Sequence, residues 1–471
     1  MIELDKVSFR YAGAEAETLH RVSLQIKQGE CVVLTGESGC GKTCVTRLIN
    51  ALIPHFYEGE LQGTVRIDGT DTRTLQPHML SDKIGSVFQN PRSQFFSLDT
   101  DSEIVFGLEN KGLPYAQMRR RYEETVQALQ IAPLIHRGLF ELSGGQKQTI
   151  AFASVYALNS DIFVLDEPSS NLDPQAIEEL RRLLLFIKGQ GKTIVVSEHR
   201  LYFLNGIADR ILLMERGEVR QSWTAEAFAR LAPMQLHALG LRSFQPTVLQ
   251  LPEETPSQSA VPVLETRDLV IGYEKRQPVA GPLNLRLYAG EIVGVVGRNG
   301  CGKTTLARTL CGLQKALAGD IAYGGVSTTR KQRLKKAYLV MQDPDYQLFT
   351  DSVVQELMLA LPARTEQADA AVEAALQALN LSAYRERHPM SLSGGQKQRA
   401  AIGVAMLCAA EVLIFDEPTS GLDYRNMESV AQILRTLAQR GKAALVISHD
   451  NELLMKVCSR VIRIDRKERS Q

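Results

Sequence analysis

Two tandem copies of one α/β fold, each built on a parallel sheet covered on both faces, are what this 471-residue sequence predicts. Three observations carry the prediction. Short apolar runs without polar alternation, CVVLTG at Cys31 to Gly36 and IVGVVG at Ile292 to Gly297, each end in a glycine-rich loop that a helical pattern follows. Further runs of the same kind, IFVL and TIVVS in the first half and VLIF and ALVIS in the second, stop at carboxylates or histidines. Unbroken apolar runs suit parallel strands buried on both faces, and such sheets bind ligands at the carboxyl ends of their strands, where these polar residues fall. Finally, Ser143 and Ser393, Glu167 and Glu417, and His199 and His449 are each 250 residues apart. One offset shared by unlike motifs means duplication.

The repeat sets the domain count at two: a first unit over residues 1–240, a linker over 241–262 and a second unit over 263–471. Each unit is long enough to bury an α/β core without metal or disulfide support. The linker stretch TVLQLPEETPSQSAVP is rich in Pro, Ser, Gln and Glu and reads as exposed. Between each glycine loop and a later Leu-Ser-Gly-Gly stretch the pattern turns helical, at Met118 to Gln130 and Glu366 to Leu379, which reads as a helical insertion. The arginines at 119–121 and the basic run Arg330 to Lys336 are read as solvated helix faces.

Charge narrows the partners. Lys plus Arg number 54 against 53 Asp plus Glu, a formal +1, which removes the simplest argument for a polyanion-binding surface, so no nucleic acid is expected. Seven scattered cysteines with no paired spacing indicate neither a disulfide framework nor a zinc site, and a reducing, cytoplasmic compartment fits them. No stretch approaches the roughly 18 apolar residues of a spanning helix. Any membrane role is therefore expected to come through a partner.

The loops GESGCGKT and GRNGCGKT fit the GxxxxGK[ST] pattern. Such a loop turns successive backbone N–H groups toward phosphate oxygens at a helix N-terminus. Gly36, Ser38, Gly39, Gly41 and Cys44, with Gly297, Asn299, Gly300, Gly302 and Thr305, would line the two cradles. Lys42 and Lys303 would hold β and γ phosphates, and Thr43 and Thr304 would ligate Mg²⁺. Asp166 and Asp416 close apolar strands and place a carboxylate near that ion, while Glu167 and Glu417 are the general-base candidates. His199 and His449 follow the next apolar strand, each 32 residues after its glutamate, where they could reach a γ-phosphate. Cys40 and Cys301 share one loop position. A helix N-terminus can lower a thiol pKa, but a small residue that fits is the plainer reading.

Together with LSGGQ at Leu142 to Gln146 and Leu392 to Gln396, these motifs resemble the ATP-binding-cassette ATPases over nearly the whole chain. The resemblance implies a P-loop NTPase fold: two tandem cassettes, each with a RecA-like core, an antiparallel β subdomain and a helical subdomain. It implies ATP and Mg²⁺ as ligands, and an intramolecular cassette dimer in which the signature of one unit caps the nucleotide of the other. Lys42, Thr43, Gln89, Asp166, Glu167 and His199 would then work with Ser393, Gly394 and Gly395. Lys303, Thr304, Gln342, Asp416, Glu417 and His449 would work with Ser143, Gly144 and Gly145. Gln89 and Gln342 match the family's metal-site glutamine, and Tyr11 and Tyr273 match its adenine-stacking aromatic.

VFQNPRSQFF, VMQDPDYQLF and the IPHFYEGEL stretch at Ile53 to Leu61 look like the energy-coupling-factor subgroup. That implies a peripheral ATPase on the cytoplasmic face of the cell membrane, driving vitamin or transition-metal-ion uptake through integral coupling (T) and substrate-binding (S) subunits. A peptide- or sugar-type importer ATPase is the nearer rival. A soluble twin-cassette factor acting in translation or on nucleic acid is the remoter one, since its relatives carry a long charged linker. The halves also differ: Thr149 stands against Arg399, SSNLD against SGLD, and Glu198 against Ser448. None of these removes a catalytic group, and unequal hydrolysis rates are expected.

Overall fold

The computed structural model describes residues 2–170, 172–252, 260–274, 277–361 and 366–464. They divide into two compact units, Met1–Pro246 with Asp423–Arg425, and Thr247–Leu422 with Asn426–Gln471.

In the first unit the unbroken apolar runs form a six-stranded sheet. Its order is Glu218–Thr224, Arg210–Glu215, Cys31–Gly36, Thr193–Ser197, Ile162–Asp166 and Ile84–Val87, parallel except for the hairpin at its first edge. Cys31–Gly36 is buried at every position, as the sequence pattern requires of a strand covered on both faces. A separate antiparallel sheet runs Leu19–Ile26, Ile2–Tyr11, Gly59–Ile67 and Thr70–Asp71. The Leu19–Ile26 strand alternates buried and exposed residues, as one solvated face demands. Helices Thr100–Asn110, Tyr115–Leu129 and Gly144–Ala157 make up the insertion, the second beginning three residues before the predicted Met118 start. Arg119 and Arg120 pair with Glu123 and Glu124 one turn on, on an exposed face.

The second unit repeats this plan. Its parallel sheet runs Ala337–Val340, Val412–Asp416, Ala443–Ile447, Ile292–Val296 and Arg460–Arg463. Its antiparallel sheet is built on Leu264–Glu274 between Gln277–Leu283 and Ala318–Tyr323. Helix Glu366–Ala378 matches the predicted insertion helix to within a residue.

The contact boundary falls after Pro246, not at 240. Leu241 and Phe244 are 2% exposed, and Phe244 packs edge-on against Phe228 with ring centroids 5.1 Å apart. The start of the expected linker is thus core of the first unit, because its apolar residues find an aromatic pocket. Past the boundary, the Thr247 and Pro252 carbonyls accept from Asn451 Nδ2 and the Val461 N–H of the second unit. Residues 253–259 of the linker lie outside the described residues. Among the described residues no helix is long and apolar enough to cross a membrane, and no cluster of three or more His, Cys, Asp or Glu side chains is arranged to hold a metal.

Candidate functional site

Both glycine loops leave the carboxyl end of a buried strand and turn into a helix. Gly36 has φ +143° and Gly41 has φ +104°, just before helix Lys42–Ile49. A Cβ on Gly36 would stand 2.2 Å from the Met214 carbonyl oxygen, and one on Gly41 would stand 2.6 Å from Leu19 Cδ2. Glycine is required there by close approach as well as by backbone angle. Gly297 and Gly302 reproduce the arrangement before helix Lys303–Leu310. The loop curls around its own lysine: Lys42 Nζ donates to the carbonyls of Gly36 at 3.1 Å and Glu37 at 2.9 Å, and Lys303 Nζ to those of Gly297 at 2.7 Å and Arg298 at 3.1 Å. An ammonium seated in the loop's cup, beside N–H groups of a helix's first turn, makes an anion site.

Cys40 is buried, and burial pushes its thiol up against the opposing pull of Lys42. The plain reading of a small residue that fits is the one the geometry supports. Cys44 is 2% exposed and its thiol is pushed up to about 12 by burial. Any contact it makes with a nucleotide runs through its main chain.

The carboxylates arrive from the adjoining strands. Asp166 pairs in register with Ser197, and Asp416 with Ile447, so both lie at the level of the glycine loops. Thr43 Oγ1 donates to Asp166 Oδ1 at 3.2 Å and Thr304 Oγ1 to Asp416 Oδ2 at 2.7 Å. Burial pushes both aspartyl carboxyls above their ordinary range; the Glu167 charge adds to this at Asp166, and the threonine hydroxyls oppose it at both. A buried carboxyl and a hydroxyl form a hard oxygen donor pair short of positive charge, which is the chemistry Mg²⁺ takes.

The next residue in each strand is the expected base. Glu167 has φ +43° and Glu417 φ +51°, the left-handed region that non-glycine residues avoid. Their N–H groups still donate to Ser197 and Ile447 carbonyls at 2.8 Å. The backbone therefore turns at the strand's final ladder bond, and the side chain leaves the sheet's alternation. Gln89 Nε2 donates to Glu167 Oε2 at 2.8 Å, and His199 Nε2 lies 3.3 Å from Glu167 Oε1. Burial alone would push the Glu167 carboxyl up; the His199 imidazole and Lys42 outweigh it and hold it below the usual carboxylate range. His449 Nε2 sits 3.7 Å from Glu417 Oε1, 3.2 Å from Asn299 Oδ1 and 3.1 Å from Lys303 Nζ.

Around the histidines the units diverge at Glu198 and Ser448. Glu198 is 2% exposed and accepts from the N–H groups of His199 at 2.7 Å, Arg200 at 3.0 Å and Ser169 at 3.1 Å. In the second unit Ser448 donates to Glu417 at 3.3 Å, and the buried acid has moved two positions on to Asp450, which accepts from Thr419 Oγ1 at 2.7 Å. Each unit keeps one buried acid tying the loop after its glutamate to the loop carrying its histidine.

Tyr273 is 73% exposed. Tyr11 is half-buried, edge-on to Phe9 at 4.8 Å and to Tyr57 at 6.3 Å, and its hydroxyl accepts from Arg47 at 3.0 Å. The Arg47 guanidinium in turn covers the Tyr57 ring at 4.0 Å. Sequence reading missed Arg47 and Tyr57; the insertion that carries Tyr57 was their only signal. The signature serines cap helices Gly144–Ala157 and Gly394–Leu407, each pairing with the glutamine three residues on. Ser143, Gly144, Ser393 and Gly394 are exposed at those helix starts, while Gly145 is buried.

Comparison with known proteins agrees with this layout. A family model described as "ABC transporter" matches residues 19–170 and again 280–420. A Treponema denticola protein provisionally named an ABC transporter ATP-binding protein is 46% identical over 98% of this chain and 95% of its own length. A protein of the same provisional name from Methanosarcina acetivorans is 33% identical over 98% of this chain and 84% of its own. Among solved structures, a model of ribosome-bound archaeal Pelota and ABCE1 superposes with a TM-score of 0.68 at 23% identity, covering 98% of this chain and 76% of that one, a likeness of fold alone. Two glycine loops at strand ends, each with its carboxylate pair and histidine, two matches to one family model and relatives alike from end to end together show that the chain belongs to the ABC transporter family of ATP-binding proteins, in its two-cassette form.

Proposed function

We propose that this protein is the ATP-hydrolysing subunit of an energy-coupling-factor-type importer, powering uptake of a vitamin or transition-metal ion through separate membrane subunits. The observation that carries the coupling part is a pair of exposed aromatic segments beside the nucleotide sites. Phe96, Leu98 and Phe140 are 76%, 73% and 84% exposed in the first unit, and Tyr346 and Phe349 are 77% and 75% exposed in the second. Leu98 and Leu139 are joined by a backbone hydrogen bond of 2.9 Å, which brings the Leu98 and Phe140 segments of the first unit together. Exposed apolar patches of this kind mark interaction sites, and their place on the insertion suits apolar partners at the cytoplasmic membrane face. The subgroup assignment rests on the Ile53 to Leu61 insertion and the glutamine-loop sequences.

In the hydrolytic step, Lys42 and Lys303 neutralise developing charge on the phosphates while loop N–H groups hold the non-bridging oxygens. Thr43 with Asp166 and Thr304 with Asp416 would hold Mg²⁺, which when bound would supply positive charge against the phosphates; following the family resemblance, Gln89 and Gln342 would join them as ligands. Glu167 and Glu417 orient water and draw off its proton as it attacks the γ-phosphorus, giving ADP and phosphate, and His199 and His449 hold the γ-phosphate oxygens.

Affinity purification of the tagged chain from its native membranes tests the reading. Recovery of a small apolar substrate-binding protein with a larger helical subunit supports the energy-coupling-factor assignment; recovery of a pair of permease subunits with a soluble binding protein defeats it. Recovery with ribosomes would defeat the transport reading altogether.

A further inference from the structure

Seven residues after each site glutamine stands one of the exposed aromatics, and seven residues after that a buried glutamate. The triplets Gln89, Phe96, Glu103 and Gln342, Phe349, Glu356 are spaced identically. Glu103 is 3% and Glu356 2% exposed, although both are charged residue types on short helices. Burial of such a group demands partners. Glu103 Oε2 accepts from the Phe96 N–H at 3.0 Å and the Ser97 N–H at 2.9 Å. Glu356 Oε2 accepts from the Phe349 N–H at 3.0 Å, the Thr350 N–H at 3.0 Å and Thr350 Oγ1 at 2.8 Å.

The other end of the segment is pinned just as regularly. Gln94 takes the Phe88 N–H at 3.2 Å and gives its amide to the Ser86 carbonyl at 3.2 Å; Gln347 does the same with Met341 and Leu339, both at 2.6 Å. These amides close the open edge of each parallel sheet. The chain from the site glutamine to the exposed aromatic is thereby a short link fixed to the sheet at one end and to the insertion's first helix at the other.

We propose that Glu103 and Glu356 are positioning residues that transmit nucleotide state from Gln89 and Gln342 to the exposed aromatic surface, by making the aromatic backbone move with the helical insertion. This rests on the reading of that surface as the coupling face. A displacement of Gln89, when its bond to Glu167 is exchanged for ligand contacts, enters a link with little slack. Glu103 then carries it to Phe96 and helix Thr100–Asn110 together. Without the carboxyl group two part-buried N–H groups lose their acceptor, the segment loosens, and the glutamine moves without moving the surface. Two units that differ in their histidine loops have both kept the glutamate on the two N–H groups and the glutamine at the sheet edge, which fits a task common to both sites.

The test uses the full chain with its single tryptophan replaced, W223F, and a reporter at the surface, F96W. Acrylamide quenching is measured with and without Mg²⁺ and a slowly hydrolysed ATP analogue, while nucleotide affinity is measured separately by equilibrium binding. The expected result is a nucleotide-dependent change in quenching that falls at least threefold in E103A and in Q89A, with affinity in E103A within threefold of the parent. E103Q should restore at least half of the response, since one amide oxygen can take both N–H bonds. An undiminished response in E103A overturns the proposal, as does a parent chain that binds nucleotide with no response. A parent that binds no nucleotide overturns the ATPase reading instead. If E103A does not fold, F349W with E356A puts the same question to the second unit.

Discussion

Gln89 donates its side-chain amide to Glu167 at 2.8 Å, joining the loop that leads to the helical insertion directly to the carboxylate proposed to activate water. Glu167 is also held beside His199 and in a left-handed backbone conformation. On the proposed reading, one carboxylate would set both hydrolysis and surface movement. Q89A is expected to lower ATP turnover at the first site by about tenfold, through loss of orientation at Glu167, while leaving nucleotide affinity within a few-fold; phosphate release in single turnovers measures the first and equilibrium binding the second.

The two sites are expected to turn over unequally. Glu167 has its carboxyl bound by Gln89 and close to His199, whereas Glu417 accepts from Ser448 and its histidine lies against Lys303 and Asn299. E167Q and E417Q, measured separately, should leave different residual rates, and the double variant should fall by about 10² or more, as loss of a general base does. Equal residual rates in the single variants would show that the differences around the histidines do not reach the chemistry.

Asp166 should cost the ligand-free protein stability in exchange for cation binding. Its carboxyl is pushed up by burial and by the Glu167 charge. Because the folded-state value lies above the unfolded one, the charged form is what folding disfavours. The penalty is absent in acid below the unfolded carboxylate range and grows as pH rises through the folded value. D166N is therefore expected to unfold at a higher temperature than the parent at pH 7.5, and the difference should shrink as pH falls toward 4. The same variant should lose nearly all Mg²⁺-dependent ATP turnover at the first site, leaving that of the Thr304–Asp416 site. A D166N midpoint at or below the parent's at pH 7.5 would place the carboxylate's stabilising contacts above its desolvation.

Much of this was legible from the chain because parallel strands buried on both faces leave an unmistakable pattern, and because each glycine loop, carboxylate and histidine sits at the end of one. Duplication supplied a second reading of every motif. Glu198 was visible as a departure but not as a clamp, since the acid serving that purpose in the second unit is Asp450, two positions further on, and only the fold shows that both reach the same loop. Gln94 and Glu103 were invisible for another reason: they act on backbone N–H groups, which no side-chain motif records. At the start of the stretch read as linker, Leu241, Arg242 and Phe244 are all buried, which its polar composition does not reveal.

Glu198 should prove structural before it proves catalytic. It takes three backbone N–H groups in a buried site, and removing an acceptor strands each of them. E198A is expected to destabilise the first unit by about 2 to 4 kcal/mol, as loss of a buried acceptor does. E198S combined with R200D, which copies the second unit's placement of its acid, should recover at least half of that loss in denaturant unfolding. No recovery would mean that the two loops are held differently in the two units.

The paired signature glycines separate packing from ligand contact. A Cβ on Gly145 would stand 2.5 Å from Ala176 Cβ, a carbon on a helix, while one on Gly395 comes within 3.3 Å of Leu422 Cδ2 and 4.0 Å of Arg399 Nη1, both ends of side chains. G145A must push apart helices Gly144–Ala157 and Pro174–Gly189, an overpacking strain of about 1 to 3 kcal/mol. G395A asks only for a rotation of Leu422 and should leave stability nearly unchanged. If the signature glycines also approach phosphate, both substitutions should weaken ATP turnover, but only G145A should lower the unfolding midpoint. Turnover surviving in G395A would indicate that this glycine makes no close phosphate contact and that the Gly394 N–H ahead of it carries the anion contact.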